Sequence, residues 1–305
     1  MRALGLTDAA NPQIQFVDIP VPAVAAHEVL VQVLAVAVGP HDRRYLPQQA
    51  SYPLALGASG AGVIAAVGDE VQGLAEGDAV LFTNTPMTKG GAWAEYAVVP
   101  ADRVAPKPDG LDFVDAAVVA AAGPQAMAGL EHLSLEPGKP VLVTDAAGAA
   151  GMLALQIAGE KRCWVLAVAP RKFQNFVRSL GAQAVFSPDN PRWQLQAREF
   201  ALGGIPGALA LAPGSSGLCL QALRDGGTLV VYDDDRPAPE RGINIVAIHR
   251  EAVDARHLAQ LAEDVARQRL LVAVDRVFPW DRALEALARA ESGEGRGPVV
   301  LTLQE

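Results

Sequence analysis

The sequence predicts an α/β protein in which a β-rich N-terminal part is followed by a doubly wound parallel sheet. From Val119 onward, short apolar segments alternate with helical patterns, which is typical of successive β-α-β units. Before Val119, glycines recur at short intervals between β-branched residues, most densely from Gly57 to Gly77. Such spacing favours bulges and tight turns in a small curved sheet or barrel.

The composition indicates a globular chain with a large core. The chain has 305 residues, a length that is enough for two domains. Of these residues, 50% are hydrophobic and 19% are charged. The net charge of −9 argues against nucleic acid or an anionic membrane as a partner. We find no signal peptide and no apolar run approaching the roughly 18 residues of a membrane span, so we expect a cytoplasmic protein. Cys163 and Cys219 are expected to be buried apolar residues.

In the N-terminal part, the first predicted strands are Arg2–Leu6 and Ile14–Val17, paired around Asn11-Pro12. Alternating valines predict a half-buried strand over residues 29–34. A short helix is predicted after Gly39-Pro40, and a further strand follows the turn at Gly90-Gly91.

In the second part, helical patterns include Gln125–Leu130, Phe173–Leu180, Gly217–Leu223 and the polar-faced Arg256–Arg267. The predicted strands are Val141–Val143, Cys163–Val168, Ala184–Phe186, Leu209–Ala212, Thr228–Tyr232 and Ile243–Ile248. The last segments, up to a strand at Val299–Leu303, return to the pattern of the first part. We therefore predict one domain from residues 1–118 with 268–305, and a second, doubly wound domain over residues 119–267.

Residues 141–158, VLVTDAAGAAGMLALQIA, form the segment around which the second domain is organised. An apolar strand, a turn of small residues and a helix would bring a helix N-terminus against an anion such as a pyrophosphate. Gly148 and Gly151 would let the backbone approach the phosphates closely. Ala146 replaces the first glycine of the strict motif, so a small-residue turn in another α/β fold is the alternative.

The end of the next strand bears on the choice of nucleotide. About 20 residues beyond Gly148, where a carboxylate would read a free ribose 2′-hydroxyl, the chain has Arg171 and Lys172. Two cations suit a 2′-phosphate, which favours NADP(H) over NAD(H). The alternative is a solvated basic pair at the start of a helix.

The sequence resembles the medium-chain dehydrogenase/reductase superfamily, in its zinc-free quinone oxidoreductase and enoyl reductase branch. The resemblance covers essentially the whole chain in order. It rests on Gly39-Pro40-x-Asp42, Gly60-Ala61-Gly62-Val63 with Val67-Gly68, Gly77-Asp78-x-Val80, Gly90-Gly91-Ala92-Trp93-Ala94-Glu95-Tyr96, Ala146–Gly151, Leu180-Gly181-Ala182, Leu223-Arg224-Asp225-Gly226-Gly227 and Gly297-Pro298-Val299-Val300-Leu301. It implies a GroES-like β-barrel domain, a Rossmann domain and a homodimer paired through the edge strand Ile243–Ile248.

The residues argue against a catalytic zinc, which needs three Cys, His or carboxylate ligands. Zinc-binding members place a cysteine in the region of His41 and a His-Glu pair in the region of Ala58-Ser59. Ala58 and Ser59 cannot serve as such ligands. Without a metal, hydride transfer from NADPH requires an acceptor that is already electrophilic, such as a quinone or an α,β-unsaturated carbonyl.

The resemblance also assigns candidate site residues. Tyr45 and Tyr52 could stack on the small-molecule acceptor or donate a hydrogen bond to it, although both could be ordinary half-buried tyrosines. The implied cofactor contacts are Gly148, Ala149, Ala150 and Gly151 at the pyrophosphate, Arg171 and Lys172 at the 2′-phosphate, Ala212, Pro213, Gly214 and Ser215 near the nicotinamide, and Gln125 where the family has Thr.

Three positions depart from the family pattern: Ser59, Gln125 and Asp145. A carboxylate at residue 145 would oppose a pyrophosphate unless it points away or is paired. The alternative function is therefore a nucleotide-binding or structural homologue with weakened catalysis.

Overall fold

The computed structural model describes residues 1–8, 13–39, 51–85, 87, 89–133, 135–232, 235–248 and 255–303. The chain divides into two compact units, Met1–Pro124 with Val253–Glu305, and Gln125–Ala252. These boundaries differ from the predicted 118/119 and 267/268. The main reason is helix α6 (Ala255–Ala266), which packs on strands of the first unit rather than the second.

The first unit contains a small sheet of β1 (Arg2–Leu6), β2 (Gln15–Asp18) and β4 (Leu54–Ala55) in the order β2-β1-β4. β1 and β2 pair antiparallel, with Leu4 opposite Phe16. The predicted pairing of the first two strands is therefore confirmed. The connection through Asn11-Pro12 and the short helix expected after Gly39-Pro40 lie outside the described residues.

A larger, curved sheet forms the rest of this unit. It runs in the order β15-β16-β3-β5-β6-β8, and β7 also pairs with β3. Its strands are β3 (Glu28–Val38), β5 (Ser59–Val67), β6 (Ala79–Thr83), β7 (Tyr96–Pro100), β8 (Val104–Pro106), β15 (Arg276–Pro279) and β16 (Val299–Thr302). The predicted irregularities occur between β3 and β5, where the register shifts twice. A Cβ on Gly62 would lie 2.0 Å from the Gln32 carbonyl oxygen.

The helices of this unit are α6, α7 (Ala283–Glu291) and the first part of α1 (Phe113–Glu131). α6 buries Leu258, Leu261, Ala262 and Val265, an i, i+3, i+4, i+7 stripe. α1 is long and apolar enough to cross a membrane, so the expectation that no run approaches that length was wrong. This is weak evidence for a span, because most of the helix is buried and a core helix has the same features.

The second unit is built on a parallel sheet in the order β11-β10-β9-β12-β13-β14. Its strands are β9 (Pro140–Val143), β10 (Trp164–Val168), β11 (Ala184–Phe186), β12 (Ile205–Ala210), β13 (Leu223–Tyr232) and β14 (Asn244–Ile248). Its helices are α2 (Ala149–Glu160), α3 (Gln174–Ser179), α4 (Trp193–Phe200), α5 (Ser216–Ala222) and the end of α1. The predicted doubly wound fold is confirmed.

The strand order reverses direction between β9 and β12. The chain builds outward from β9 through β10 to β11, then returns to place β12 on the other side of β9. In open α/β sheets, ligands bind outside the carboxyl ends of the strands at such a reversal. The segments that follow β9 and β12 therefore define where a ligand is expected in this unit.

Candidate nucleotide-binding site

The turn between β9 and α2 lies at this reversal. Asp145 adopts a left-handed conformation with φ +49°, which Asp tolerates better than most residues. Its carbonyl accepts a hydrogen bond from the Gly148 N–H at 2.8 Å, closing the turn. The Ala146 N–H donates to the Val168 carbonyl at 3.1 Å, so the turn is fixed to the end of β10.

The N-terminus of α2 is suited to an anion. Gly148 is its N-cap residue, and within the described part of the chain no side chain caps this end of the helix. The N–H groups of the first turn and the positive end of the helix dipole are thus available to a phosphate. Gly151 must be small for another reason, because a Cβ there would lie 2.1 Å from the Asp145 carbonyl oxygen.

The carboxylate of Asp145 lies beside this helix end. A Cβ on Gly148 would be 2.2 Å from the Asp145 Oδ2, so the carboxylate covers the Gly148 Cα. Water reaches the exposed Asp145 side chain, yet desolvation by surrounding protein raises the pKa of its carboxyl group to about 6. The group turns toward the helix N-terminus rather than away from it, so it would oppose a bound pyrophosphate when ionised.

Arg171 and Lys172 begin a 3-10 turn, Arg171–Phe173, directly after β10. Both side chains are exposed, and the Lys172 Nζ lies 4.9 Å from the centre of the Phe173 ring. Because β10 is the parallel neighbour of β9, both cations follow the same edge of the sheet as the small-residue turn.

A buried hydroxyl network connects the ends of β9 and β12. Thr144, which is fully buried, accepts hydrogen bonds at its Oγ1 from the N–H groups of Leu211 and Ala212, at 2.9 and 3.0 Å. The same oxygen lies 3.1 Å from the Ser215 Oγ, which donates to the Ala212 carbonyl at 2.6 Å. Ser215 is among the residues predicted to lie near the nicotinamide, whereas Thr144 was not predicted as a site residue.

The predicted residues Ala212, Pro213 and Gly214 form the loop held by this network. Pro213 and Gly214 are exposed, and Gly214 has a φ of +71°. Gln125 lies half-buried in α1, and its carbonyl accepts a hydrogen bond from the hydroxyl of Tyr232 at the end of β13. These residues therefore also follow, or contact, the carboxyl end of the sheet.

The candidate residues for the acceptor lie in the first unit. Tyr52 is half-buried and packs against the hydrophobic core of that unit. Tyr45 lies outside the described residues, as do His41 and Arg44. The role of either tyrosine stays a prediction.

The described residues do not offer a zinc site. Among them, no group of three or more His, Cys, Asp or Glu side chains is arranged to hold a metal ion. Ala58 is buried, and Ser59 is buried at the start of β5. These positions, where a resemblance to zinc-binding members would require ligands, therefore supply no donor set that zinc prefers.

A barrel-like unit and a doubly wound parallel unit with a phosphate-type turn define a two-domain dinucleotide-binding protein. Residues 25–109 match the family described as alcohol dehydrogenase GroES-like domain, and residues 180–301 match that described as zinc-binding dehydrogenase. A trans-enoyl reductase of Petromyces alliaceus is 32% identical over 254 residues, covering 76% of this chain and 70% of the relative.

Two further proteins are similar to this chain over most of its length. An NADPH-dependent alkenal/one oxidoreductase of Arabidopsis thaliana is 27% identical over 305 residues, covering 93% of this chain and 74% of the relative. The solved quinone oxidoreductase of Coxiella burnetii superposes with a TM-score of 0.88 at 22% identity, covering 100% of this chain and 99% of that one. The chain belongs to the medium-chain dehydrogenase/reductase superfamily, a family of oxidoreductases that use nicotinamide cofactors.

Proposed function

We propose that this protein is an NADPH-dependent oxidoreductase that transfers a hydride to a quinone or an α,β-unsaturated carbonyl without zinc. The observation that carries the proposal is the N-terminus of α2 behind a small-residue turn, which no described side chain caps, with Arg171 and Lys172 one strand further along the same sheet edge. A relative whose name states NADPH dependence and an alkenal/one substrate supports it.

In this proposal, each group of residues has one task. Gly148, Ala149, Ala150 and Gly151 hold the pyrophosphate through backbone N–H groups, and Arg171 and Lys172 pair with the 2′-phosphate. The loop Ala212–Gly214 borders the nicotinamide half. NADPH, when bound, supplies the hydride, and the protein supplies position and exclusion of water.

The absence of a suitable donor set among the described residues limits the acceptors. Without a metal to polarise a carbonyl, the acceptor must be electrophilic already, as quinones and conjugated enones are. The oxyanion formed from a quinone can take a proton from water, so this reaction demands no strong general acid. In this proposal, Tyr45 and Tyr52 orient the acceptor rather than transfer a proton.

The nucleotide preference is tested by fluorescence titration of cofactor-free protein with NADPH and NADH. We expect NADPH to bind more tightly, and Arg171→Ala with Lys172→Ala to weaken NADPH binding by about 10- to 100-fold, as lost charge-assisted hydrogen bonds do. NADH binding should be unchanged. Arg178→Ala, which removes another exposed cation from α3, is the matched control. Equal binding of both nucleotides by the wild type would refute the 2′-phosphate assignment.

Turnover separates the proposed enzyme from a homologue with weakened catalysis. The enzyme should oxidise NADPH when a quinone or an enone is added, with no stoichiometric zinc by metal analysis and no loss on chelation. A protein that binds NADPH but oxidises it with neither acceptor would favour the alternative. In that case the Asp145 carboxylate would be the first feature to examine.

We further infer a homodimer formed through β14. This strand is an edge of the parallel sheet, and Ile245, Val246 and Ala247 are only partly buried on it. An apolar edge strand needs covering, and a second copy can extend the sheet. Light scattering at micromolar concentration should give twice the chain mass, and a monomer mass would refute this.

A further inference from the structure

We propose that Thr144 is a positioning residue whose hydroxyl holds the loop 211–215 in the conformation that receives the nicotinamide half of the dinucleotide. The inference rests on the proposed function and adds a residue that neither the motif nor the resemblance indicates. It is carried by the buried hydrogen bonds between the ends of β9 and β12.

The hydrogen bonds of the network have a single consistent direction. The Thr144 Oγ1 accepts from two backbone N–H groups, Leu211 and Ala212, which occupies its two lone pairs. Its own proton must therefore go to the Ser215 Oγ, 3.1 Å away. The Ser215 hydroxyl in turn donates to the Ala212 carbonyl, so every hydroxyl proton has an acceptor. A buried network that is fully satisfied in this way fixes the conformation of its members.

The network holds the base of the loop and leaves its tip open. Leu211 and Ser215 are buried, whereas Pro213 and Gly214 between them are exposed. On the far side, the Ser216 Oγ donates to Asp235 at 2.7 Å, and this bond does not involve Thr144. Thr144 therefore controls the β9 side of the loop, and Ser216 controls the start of α5.

The position of the loop in the sheet indicates which half of the ligand it meets. With the pyrophosphate at the start of α2 and the 2′-phosphate beyond β10, the adenosine half lies on the β10 side of β9. The other half must then extend toward β12, which is the neighbour of β9 in the opposite direction. Thr144 joins the two segments that follow these strands across the reversal in strand order, where ligands of such sheets bind.

The test compares two ligands that differ only in the nicotinamide, namely NADPH and 2′-phospho-ADP-ribose. Thr144→Val keeps the shape of the side chain and removes the hydroxyl. We expect it to weaken NADPH binding by about tenfold, the scale of one or two lost hydrogen bonds, and to leave 2′-phospho-ADP-ribose within about twofold. Thr144→Ser retains the hydroxyl and should restore both affinities. Ser216→Ala, which removes a neighbouring buried hydroxyl, is the control for general loss of stability and should leave the ratio of the two affinities unchanged.

The outcomes are distinguishable. Equal weakening of both ligands by Thr144→Val, no weakening, or failure of Thr144→Ser to restore binding would each overturn the positioning role. If Thr144→Val does not fold, Ser215→Ala decides, since it removes the acceptor of the Thr144 proton and should lower NADPH affinity selectively, though by less. If the wild type binds neither ligand, the proposed function itself is wrong.

Discussion

Replacing Asp145 by Asn should stabilise the protein at neutral pH and have no such effect in acid. The carboxylate lies against Gly148 at the start of α2, and desolvation raises its pKa from 3.8 to about 6. A carboxyl group whose pKa is higher in the folded state binds more protons when folded. The contribution of this carboxyl group to the free energy of unfolding is therefore fully present below pH 3.8. It declines as pH rises through about 6 and is lost above that.

The magnitude follows from the two pKa values. A rise from 3.8 to about 6 corresponds to roughly 3 kcal/mol at about 1.4 kcal/mol per pH unit. Because the side chain is exposed and water screens its charge, we discount this to about 1 kcal/mol. In a chain of this size, that free energy is equivalent to an increase of about 1–2 °C in Tm for Asp145→Asn at pH 8.

Thermal unfolding of both proteins between pH 4 and pH 8 is the assay. Asn also tolerates the left-handed conformation of residue 145, so any backbone preference adds a difference that does not vary with pH. The pH-dependent part alone reports the carboxylate. Asp69→Asn, an exposed carboxylate in a turn of the first unit, is the control and should show no comparable change. An equal Tm difference at pH 4 and pH 8, or none at either, would refute the electrostatic reasoning.

Three other substitutions or treatments have definite expected results. Arg241→Ala removes hydrogen bonds to carbonyl groups at the C-terminal end of α5 and should lower the free energy of unfolding by about 1–3 kcal/mol in urea titrations; no change would contradict this role. Gly62→Ala, whose Cβ would lie 2.0 Å from the Gln32 carbonyl, should cost about 1–3 kcal/mol by the same assay, and wild-type stability would refute the predicted clash. Cys163 and Cys219 are buried and burial raises both thiol pKa values, that of Cys219 to about 12, so thiol reagents should label them only after unfolding.

The local patterns of this sequence were sufficient for most of the parallel sheet. β11 has the predicted bounds, and β9 and β10 begin within one residue of theirs, because short apolar strands between polar turns are strongly marked. Helix α4 was not predicted: it is only eight residues long, and of its apolar residues only Trp193 and Ala197 are fully buried. α1 extends far beyond the predicted Gln125–Leu130 because Pro124, which ordinarily ends a helix, lies inside it.

Local sequence patterns likewise locate some residues of the candidate site and not others. The turn at Gly148 and the cations Arg171 and Lys172 follow strands directly, so their spacing along the chain is enough to locate them at one sheet edge. The bond between Thr144 and Ser215 joins residues 71 apart in sequence, and no local pattern reports a contact of that separation. The direction of the Asp145 side chain also depends on a left-handed backbone that the sequence left open.

Thr144 and Asp145 are neighbours at the end of β9, but the structure gives them opposite relations to a bound dinucleotide. The Thr144 hydroxyl is buried between two strands and holds the loop 211–215, which the proposal assigns to the nicotinamide half, so its effect should depend on which half of the ligand is present. The Asp145 carboxylate is exposed beside the helix that would hold the pyrophosphate, so its effect depends on pH and is the same for any ligand carrying that group. Under the proposed function, affinity for NADPH is thus a balance of preorganisation and charge repulsion set by two adjacent residues. Since one contribution changes with ligand and the other with pH, the two can be measured separately in the same protein.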